Sequence, residues 1–350
     1  MTELSAPADP VEPMLRMLNG HCPQQALYVA AVLGVADLLF VRPMDADGLA
    51  TEVKADPDSL RRLLRTLASV GVFEEGPDSR FSLNPLGATL RSDAPNSVRD
   101  RAIYCGSPAM WDVWGDLLHS VRTGESACEH VHGVSFYDHL LSSPEIGETF
   151  NRFMARTSQQ HADALIQAYD FGGIKTLVDV GGGLGGTLTA ILAAFPGLRG
   201  VVFDLPTVAD AAITKIAAAG LERRCQAEGG DMRRAVPRGE AYLLKWVLMD
   251  RSDEQAVEVL RNCAEAMTDG GRVLAVEMTM PPDNRPSFAR VMDVQMMLLF
   301  GGGRIRTAEE LRGVFAAAGL EVVRVLSAPP SPNAVIEGRM SSGHLKQSRV

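Results

Sequence analysis

The 350-residue sequence has no excess of basic residues, no long apolar run and no paired set of cysteines. Lysine and arginine total 34 against 43 aspartates and glutamates, a net charge of −9. This balance argues against a nucleic-acid partner or an anionic membrane surface. No apolar run reaches the ~18 residues of a membrane span, and the N-terminus lacks a basic-then-apolar signal. The five cysteines are odd in number and scattered, which favours reduced thiols and a cytoplasmic location.

A metal ion is not predicted either. The segment Cys128-Glu-His130-Val-His132 alternates potential ligands. Its spacing differs from that of a zinc finger, and no second pair of cysteines or histidines lies near it in sequence.

A glycine-rich turn between two apolar strands is the most informative stretch. Residues 177–186 read Leu-Val-Asp-Val-Gly-Gly-Gly-Leu-Gly-Gly, and a helical pattern follows as far as Pro196. The next apolar run ends near Asp204. Strand, turn, helix and strand form one βαβ unit, in which a carboxylate at the end of the second strand would meet the hydroxyls of a bound ribose.

The acid before this turn favours one ligand over another. Asp179 leads directly into the glycines, which is unfavourable beside a pyrophosphate but suits the positive sulfonium and ammonium groups of S-adenosylmethionine. No second glycine-rich turn follows a strand. S-adenosylmethionine is therefore the preferred cofactor, with a nicotinamide dinucleotide as the weaker alternative.

The N-terminal half divides into three predicted parts. Residues 10–40 give two helical patterns so apolar that they must be buried, and we expect them to form a homodimer. Residues 44–92 predict a winged helix, with Asp56 capping a helix and a hairpin after Gly71. Its six basic against eight acidic residues favour a structural module over a DNA reader. Residues 97–171 predict an all-helical segment.

Alternating strands and helices fill the rest of the chain. Strands are predicted at 176–180, 199–204, 224–228, 241–247, 272–279, 321–328 and 333–338, and the short proline-bearing link between the last two predicts an antiparallel hairpin. The fold class is thus α/β, a Rossmann-like seven-stranded domain preceded by a helical dimerisation and winged-helix domain. We predict domains at 1–96, 97–172 and 173–340, with an unstructured start over residues 1–9 and a tail at 341–350.

Six stretches of this half together resemble the class I S-adenosylmethionine-dependent methyltransferases. The similarity is closest to the O-methyltransferase family of plant caffeic acid and flavonoid enzymes and bacterial antibiotic-tailoring enzymes. The order and spacing of the stretches fit as a set, which makes the resemblance far more specific than any one motif. The stretches are Val178–Gly185, Phe203–Pro206, Gly229–Met232, Leu244–Glu254, Gly270–Glu277 and Gly302–Thr307.

The resemblance implies a set of cofactor contacts. It places Gly181, with Asp179 and Gly183, under the methionine part of the cofactor, and Asp204, followed by Leu205, at the ribose hydroxyls. Asp231 and Met232 would hold the adenine, and Lys245 would lie beside the cofactor. S-adenosylhomocysteine would be the product.

The catalytic positions depart from the family pattern. The family's usual His base is replaced by Met249, and a thioether cannot accept a proton at useful pH. Of the two acidic positions that flank the base, Glu277 is present and the other is Ile305. We therefore expect methylation driven mainly by proximity, on an acidified phenol, a carboxylate or a nitrogen.

Several groups remain candidates for the base and the acceptor pocket. Asp250, His139 and His161 are the alternative bases. A flexible apolar wall for a small aromatic acceptor is predicted from one helix and the helical segment. O-methylation in antibiotic or other secondary metabolism leads, N-methylation is second, and a relative that keeps the cofactor without methylating is third. The predicted pocket residues are Met249, Asp293, Met296, Met297, Phe300, Trp111 and Phe153.

Overall fold

The structure is a computed structural model that describes residues 9–329 and 331–341. The predicted unstructured start and tail therefore fall almost entirely outside the described residues. Residue contacts divide the chain into two compact units, one formed by 1–112 and 140–154 and the other by 113–139 and 155–350. The domain limits at 96, 172 and 340 remain predictions.

The first half of the chain is mainly helical. The helices are α1 (Val11–Leu18), α2 (His21–Leu33), α3 (Val35–Val41), α4 (Ala46–Val53), α5 (Pro57–Ser69), α6 (Arg99–Gly106), α7 (Pro108–Gly115), α8 (Leu117–Thr123), α9 (Ala127–His132), α10 (Phe136–Ser142) and α11 (Pro144–Ala168), and the strands are β1 (Met44–Asp45), β2 (Phe73–Glu75) and β3 (Arg80–Leu83).

The second half alternates strands and helices. The strands are β4 (Thr176–Val180), β5 (Arg199–Asp204), β6 (Cys225–Gly229), β7 (Gly239–Lys245), β8 (Met267–Met278), β9 (Leu320–Ser327) and β10 (Asn333–Met340), and the helices are α12 (Gly186–Ala194), α13 (Pro206–Ala218), α14 (Asp253–Ala266), α15 (Phe288–Phe300) and α16 (Ala308–Ala317).

The first unit contains the predicted winged helix. The Asp56 side chain accepts a hydrogen bond from the Ser59 amide at 2.9 Å, so it caps α5 at Pro57 as expected. One face of α5 is buried, and the hairpin of β2 and β3 forms with β1 a sheet in the order β1-β3-β2.

Helix α1 behaves differently from the rest of the first unit. None of its residues is buried, and even its apolar side chains Leu15 and Leu18 are 47% and 63% exposed. Among the described residues no single helix is long and apolar enough to cross a membrane. One bent pair, Val11–Leu33 with Val35–Val41 at 63°, meets the length and composition criteria alone.

The second unit is built on a seven-stranded sheet in the order β6-β5-β4-β7-β8-β10-β9. Strands β4 to β8 are parallel, and β10 pairs antiparallel with both β8 and β9, so the predicted final hairpin is confirmed. Side chains from both faces of the central strands are buried in two separate cores, as expected for parallel strands covered on both sides by helices.

Every strand after β5 differs from the prediction at one or both limits, by one to five residues. Strand β7 ends at Lys245 instead of 247, because Trp246 takes a positive φ of 58° and turns the chain out of the sheet. Strand β8 begins at Met267, where it pairs with Gly239 across an irregularity in register. The carboxyl ends of β4, β5 and β7 lie side by side, at the edge where open α/β sheets bind their ligands.

Candidate active site

The end of β4 carries a buried acid with an unsatisfied oxygen. Asp179 is 2% exposed, and its Oδ2 has no hydrogen-bond partner among the described residues. Burial raises the pKa of Asp179 to about 7, which the positive charge of Lys245 opposes and the nearby Asp204 reinforces. An isolated buried carboxylate oxygen of this kind fits a cationic ligand group.

The glycine turn leaves an open cradle next to this acid. A Cβ on Gly182 would lie 2.9 Å from the Asp179 carboxyl, and one on Gly181, at φ 70°, would lie 2.9 Å from Val247. Gly183, at φ 56°, has no neighbouring atom within 4 Å of the same position. Side chains would therefore close the space that the glycine backbone keeps open.

Asp204 is fixed at the end of β5. Its Oδ2 accepts a hydrogen bond from the Gly183 amide at 2.8 Å and its Oδ1 one from the Leu205 amide at 2.7 Å. Burial raises the pKa of Asp204, and these two amides oppose the rise. The structure thus brings the predicted ribose acid directly to the glycine turn.

Lys245 lies between two acids at the end of β7. Burial lowers its pKa to about 8, and the charges of Asp179 and Glu277 oppose this shift. Its Nζ also lies 4.7 Å from the centre of the Trp246 ring. A lysine in this position keeps the surplus negative charge of the site balanced.

The predicted adenine residues adjoin the turn. The Met232 methyl is 3.2 Å from the Cβ position of Gly181, and its sulfur is 3.5 Å from Arg251 Nη2. Asp231 accepts a hydrogen bond from the Arg233 amide at 2.9 Å, which lowers the pKa of this partly exposed carboxyl. All the predicted cofactor residues therefore lie at the carboxyl ends of strands of one sheet, or just after them.

Met249, which the sequence resemblance aligns with the family's base, is buried at 4% exposure. Glu277 binds the backbone just before Met249: its Oε1 accepts hydrogen bonds from the Val247 and Leu248 amides at 3.1 and 2.8 Å. Burial raises the pKa of Glu277 to about 8. The structure thus uses Glu277 to hold the turn that follows β7, while Ile305 is buried as an apolar residue.

Asp250 has a partner that the sequence did not indicate. The Tyr137 hydroxyl of α10 donates a hydrogen bond to Asp250 Oδ2 at 2.6 Å. Burial raises the pKa of Asp250 to about 6 and, together with the Asp250 charge, holds the pKa of Tyr137 well above its usual range. The two residues are 113 positions apart, so no local pattern could have paired them.

An apolar wall adjoins this pair. The Phe300 ring at the end of α15 packs against Phe136 at 5.3 Å and Tyr137 at 5.6 Å between centroids. On the same helix Met296 is buried and Met297 is partly buried. Asp293 accepts a hydrogen bond from the Ile305 amide at 2.7 Å, so one of its oxygens is engaged by the protein.

Three of the remaining candidates pack against other aromatic or histidine rings. Trp111 and Phe153 belong to the first unit, in which Phe153 stacks on Tyr104 at 5.8 Å. His161 packs edge-on against Trp246, and burial lowers its pKa to about 4. His139 stacks on His132 at 3.9 Å.

Comparison with known proteins agrees with this fold. An O-methyltransferase domain matches residues 114–321 and an O-methyltransferase dimerisation domain matches 15–93. The phenazine O-methyltransferase PhzM of Lysobacter antibioticus is 42% identical, over 89% of this chain and 92% of its own. A mitomycin biosynthesis 6-O-methyltransferase of Streptomyces lavendulae is 38% identical, over 92% and 93%.

A solved structure provides a relative with its ligands in place. An O-methyltransferase from neocarzinostatin biosynthesis, in complex with S-adenosylmethionine and 2-hydroxy-5-methyl naphthoic acid, superposes with a TM-score of 0.78. It is 34% identical and covers 97% of this chain and 99% of its own. The chain belongs to the O-methyltransferase family. It is an S-adenosylmethionine-dependent methyltransferase with a dimerisation domain.

Proposed function

We propose that the chain methylates a hydroxyl group of a flat aromatic metabolite, in antibiotic or related secondary metabolism, without a histidine base. The observation that carries this proposal is the buried thioether of Met249, at the position that the sequence resemblance assigns to the usual base. The acceptors named for two relatives, a phenazine and a naphthoic acid, support an aromatic acceptor.

Five residues of the sheet edge hold the cofactor in this proposal. Bound S-adenosylmethionine supplies an electrophilic methyl group on a sulfonium. Asp179 stabilises the positive charge beside the glycine turn, Asp204 binds the ribose hydroxyls, and Met232 packs on the adenine. Lys245 offsets the charge of the acids, and Gly181 keeps the cradle open.

The acceptor lies against the wall of Phe300, Met297 and Tyr137. Tyr137 and Asp250 orient its hydroxyl, because above pH ~6 the ionised Asp250 fixes the direction of the Tyr137 proton and leaves the phenol oxygen free to accept. The acceptor proton leaves to Tyr137 as the Tyr137 proton moves to Asp250. Most of the rate comes from alignment, which supplies up to ~7–11 kcal/mol of a bimolecular barrier.

A panel of hydroxylated phenazines, naphthoates and simple phenols tests the proposal, with the release of S-adenosylhomocysteine as readout and NMR to locate the new methyl. O-methylation by wild type, with a loss of about 10-fold or more in Tyr137→Phe, is the expected result. Methylation at nitrogen would instead favour the alternative of an N-methyltransferase. Cofactor binding without any release of S-adenosylhomocysteine would favour a relative that no longer methylates.

The functional form is a homodimer in this proposal. The dimerisation domain begins at residue 15, within α1, and α1 carries exposed apolar side chains with none buried in its own chain. A second copy would cover this surface.

A further inference from the structure

We propose that Asp116, His119 and His130 form a zinc-binding site beside the end of α15, separate from the residues that bind S-adenosylmethionine. One ligand atom from each of the three side chains lies within 4.8 Å of the other two. Asp116 precedes α8, His119 lies one turn later on α8, and His130 lies on α9. The site is therefore made by two consecutive short helices of the second unit.

A buried nitrogen in this cluster has no hydrogen-bond partner among the described residues. His119 Nε2 is shielded from solvent and makes no hydrogen bond to any described residue. The nearest acid, Glu125 Oε2, is 3.6 Å away, beyond hydrogen-bond distance. Leaving such a group unsatisfied costs about 1–3 kcal/mol, and a metal ion bound at this nitrogen would remove the cost.

The ligand types favour zinc over magnesium and calcium. Two imidazole nitrogens and one carboxylate oxygen match zinc, which binds such sets in four-coordinate geometry. Magnesium and calcium prefer oxygen ligands throughout. Glu125 and Glu129 line the same cavity, so a carboxylate or a water is at hand for the fourth position.

Binding requires one side chain to turn. The rings of His119 and His130 stack at 3.9 Å with only 5° between their planes. Because a nitrogen lone pair lies in the plane of its ring, two parallel rings cannot both face one ion. His130 is exposed and can rotate, exchanging its 2.7 Å contact with Asp116 for a shared ion.

The site connects to the acceptor wall through α9. Ser126, which caps α9, donates hydrogen bonds to the carbonyls of Leu298 and Leu299, each at 3.0 Å. Phe300, two residues further, lines the cavity of the proposed site and also contacts Tyr137. Zinc would therefore stiffen the end of α15 that carries the acceptor wall.

Calorimetric titration of zinc into the chelator-treated full chain tests the site. The titration uses a Cys22→Ser background, since the Cys22 thiol is exposed 3.2 Å from His21 and can bind metal by itself. The parent should show a single zinc site of micromolar or tighter affinity. The affinity should fall at least ~10-fold in His119→Gln and in His130→Gln, a reduction that even the loss of outer-shell partners of a metal can cause.

His132→Gln is the matched control, because His132 lies on the same helix but outside the cluster. It should bind zinc as the parent does, and thermal melts should show all variants folded. The absence of saturable binding in the parent would overturn the proposal. Equal binding by all variants would do the same, since it would show adventitious surface binding only.

Discussion

Among single residues, the acids at the strand ends determine how the site responds to substitution. Asp204 receives two backbone amides that hold its carboxylate toward the ligand edge. We expect Asp204→Asn to weaken S-adenosylmethionine by about 10-fold or more, the loss of a charge-assisted hydrogen bond. Calorimetry measures the affinity, and Asp210→Asn, an exposed change on the following helix, should leave it unaltered.

Asp179 makes cofactor binding depend on pH. Because its pKa is about 7, the Asp179 carboxyl is mostly neutral at pH 6 in the free protein. A cationic ligand favours the ionised form of this carboxyl. Affinity should therefore rise as pH increases from 6 toward 8, with proton release on binding at the lower pH. Lys245, with a pKa of about 8, and Asp204 are the charged groups that face Asp179.

Calorimetry in two buffers of different ionisation enthalpy measures the released proton. Asp179→Asn should bind more weakly and lose the rise in affinity between pH 6 and 7, whereas the change in Lys245 charge would act only nearer pH 8. An unchanged pH dependence in the variant would assign the titration to another group.

The resemblance to the family places Met249 where a His base is usual, and introducing that base tests the consequence. Met249→His should raise the rate on a weakly acidic phenol by ~100-fold, the lower end of general-base catalysis. A phenol already ionised at the assay pH gains nothing from a base, so its rate should stay within a few-fold. If wild type methylates both phenols equally well, the Tyr137–Asp250 pair already removes the proton efficiently, and the prediction that Met249 limits the rate is wrong.

At the scale of elements, the turn after β7 is held by the segment that precedes α16. Arg306 is 2% exposed and donates hydrogen bonds to the carbonyls of Leu248 and Arg251 and to Asp253. Together with Glu277 it fixes the chain that carries Met249 and Asp250. The geometry of the proposed catalytic positions therefore depends on residues outside the proposed ligand contacts.

Arg306→Met should consequently destabilise the protein. The substitution removes the guanidinium hydrogen bond to the buried Leu248 carbonyl, and a buried polar group that loses its partner costs about 1–3 kcal/mol. Chemical denaturation measures the loss of unfolding free energy. Arg304→Met is the control, because Arg304 pairs with Glu310 at the surface and such a pair is worth at most ~1 kcal/mol. Equal losses in the two variants would show that the burial of Arg306 adds nothing.

The sequence predicted elements well where local chemistry decides them. The Asp56 cap opens α5 as expected, the capping box of Thr307 and Glu310 opens α16 in the same local way, and the seven strands follow their apolar runs. It failed at Trp246, whose positive φ is imposed by contacts distant in sequence: its indole donates to Asn333, 87 residues away. Tyr137 and the His119–His130 pair were missed for the same reason, since only the fold brings them to their partners.

For the whole molecule, the proposed dimer rests on a surface that a single chain leaves uncovered. The exposed apolar residues of α1 are Val11, Met14, Leu15, Met17 and Leu18. A helix with so many exposed apolar side chains and none buried has little reason to pack on its own chain, and a second copy would bury it in a symmetric interface.

Replacing Leu15 and Leu18 by glutamate should therefore convert a dimer to a monomer. Charges buried in an apolar interface are costly without partners, while on the exposed face of a lone chain the same changes should alter stability by no more than ~0.5 kcal/mol. Light scattering after gel filtration gives the mass of each form. Ile213→Glu, on an equally exposed apolar residue of α13, should leave the dimer intact. A monomeric wild type, or dissociation by Ile213→Glu as well, would remove α1 as the specific interface.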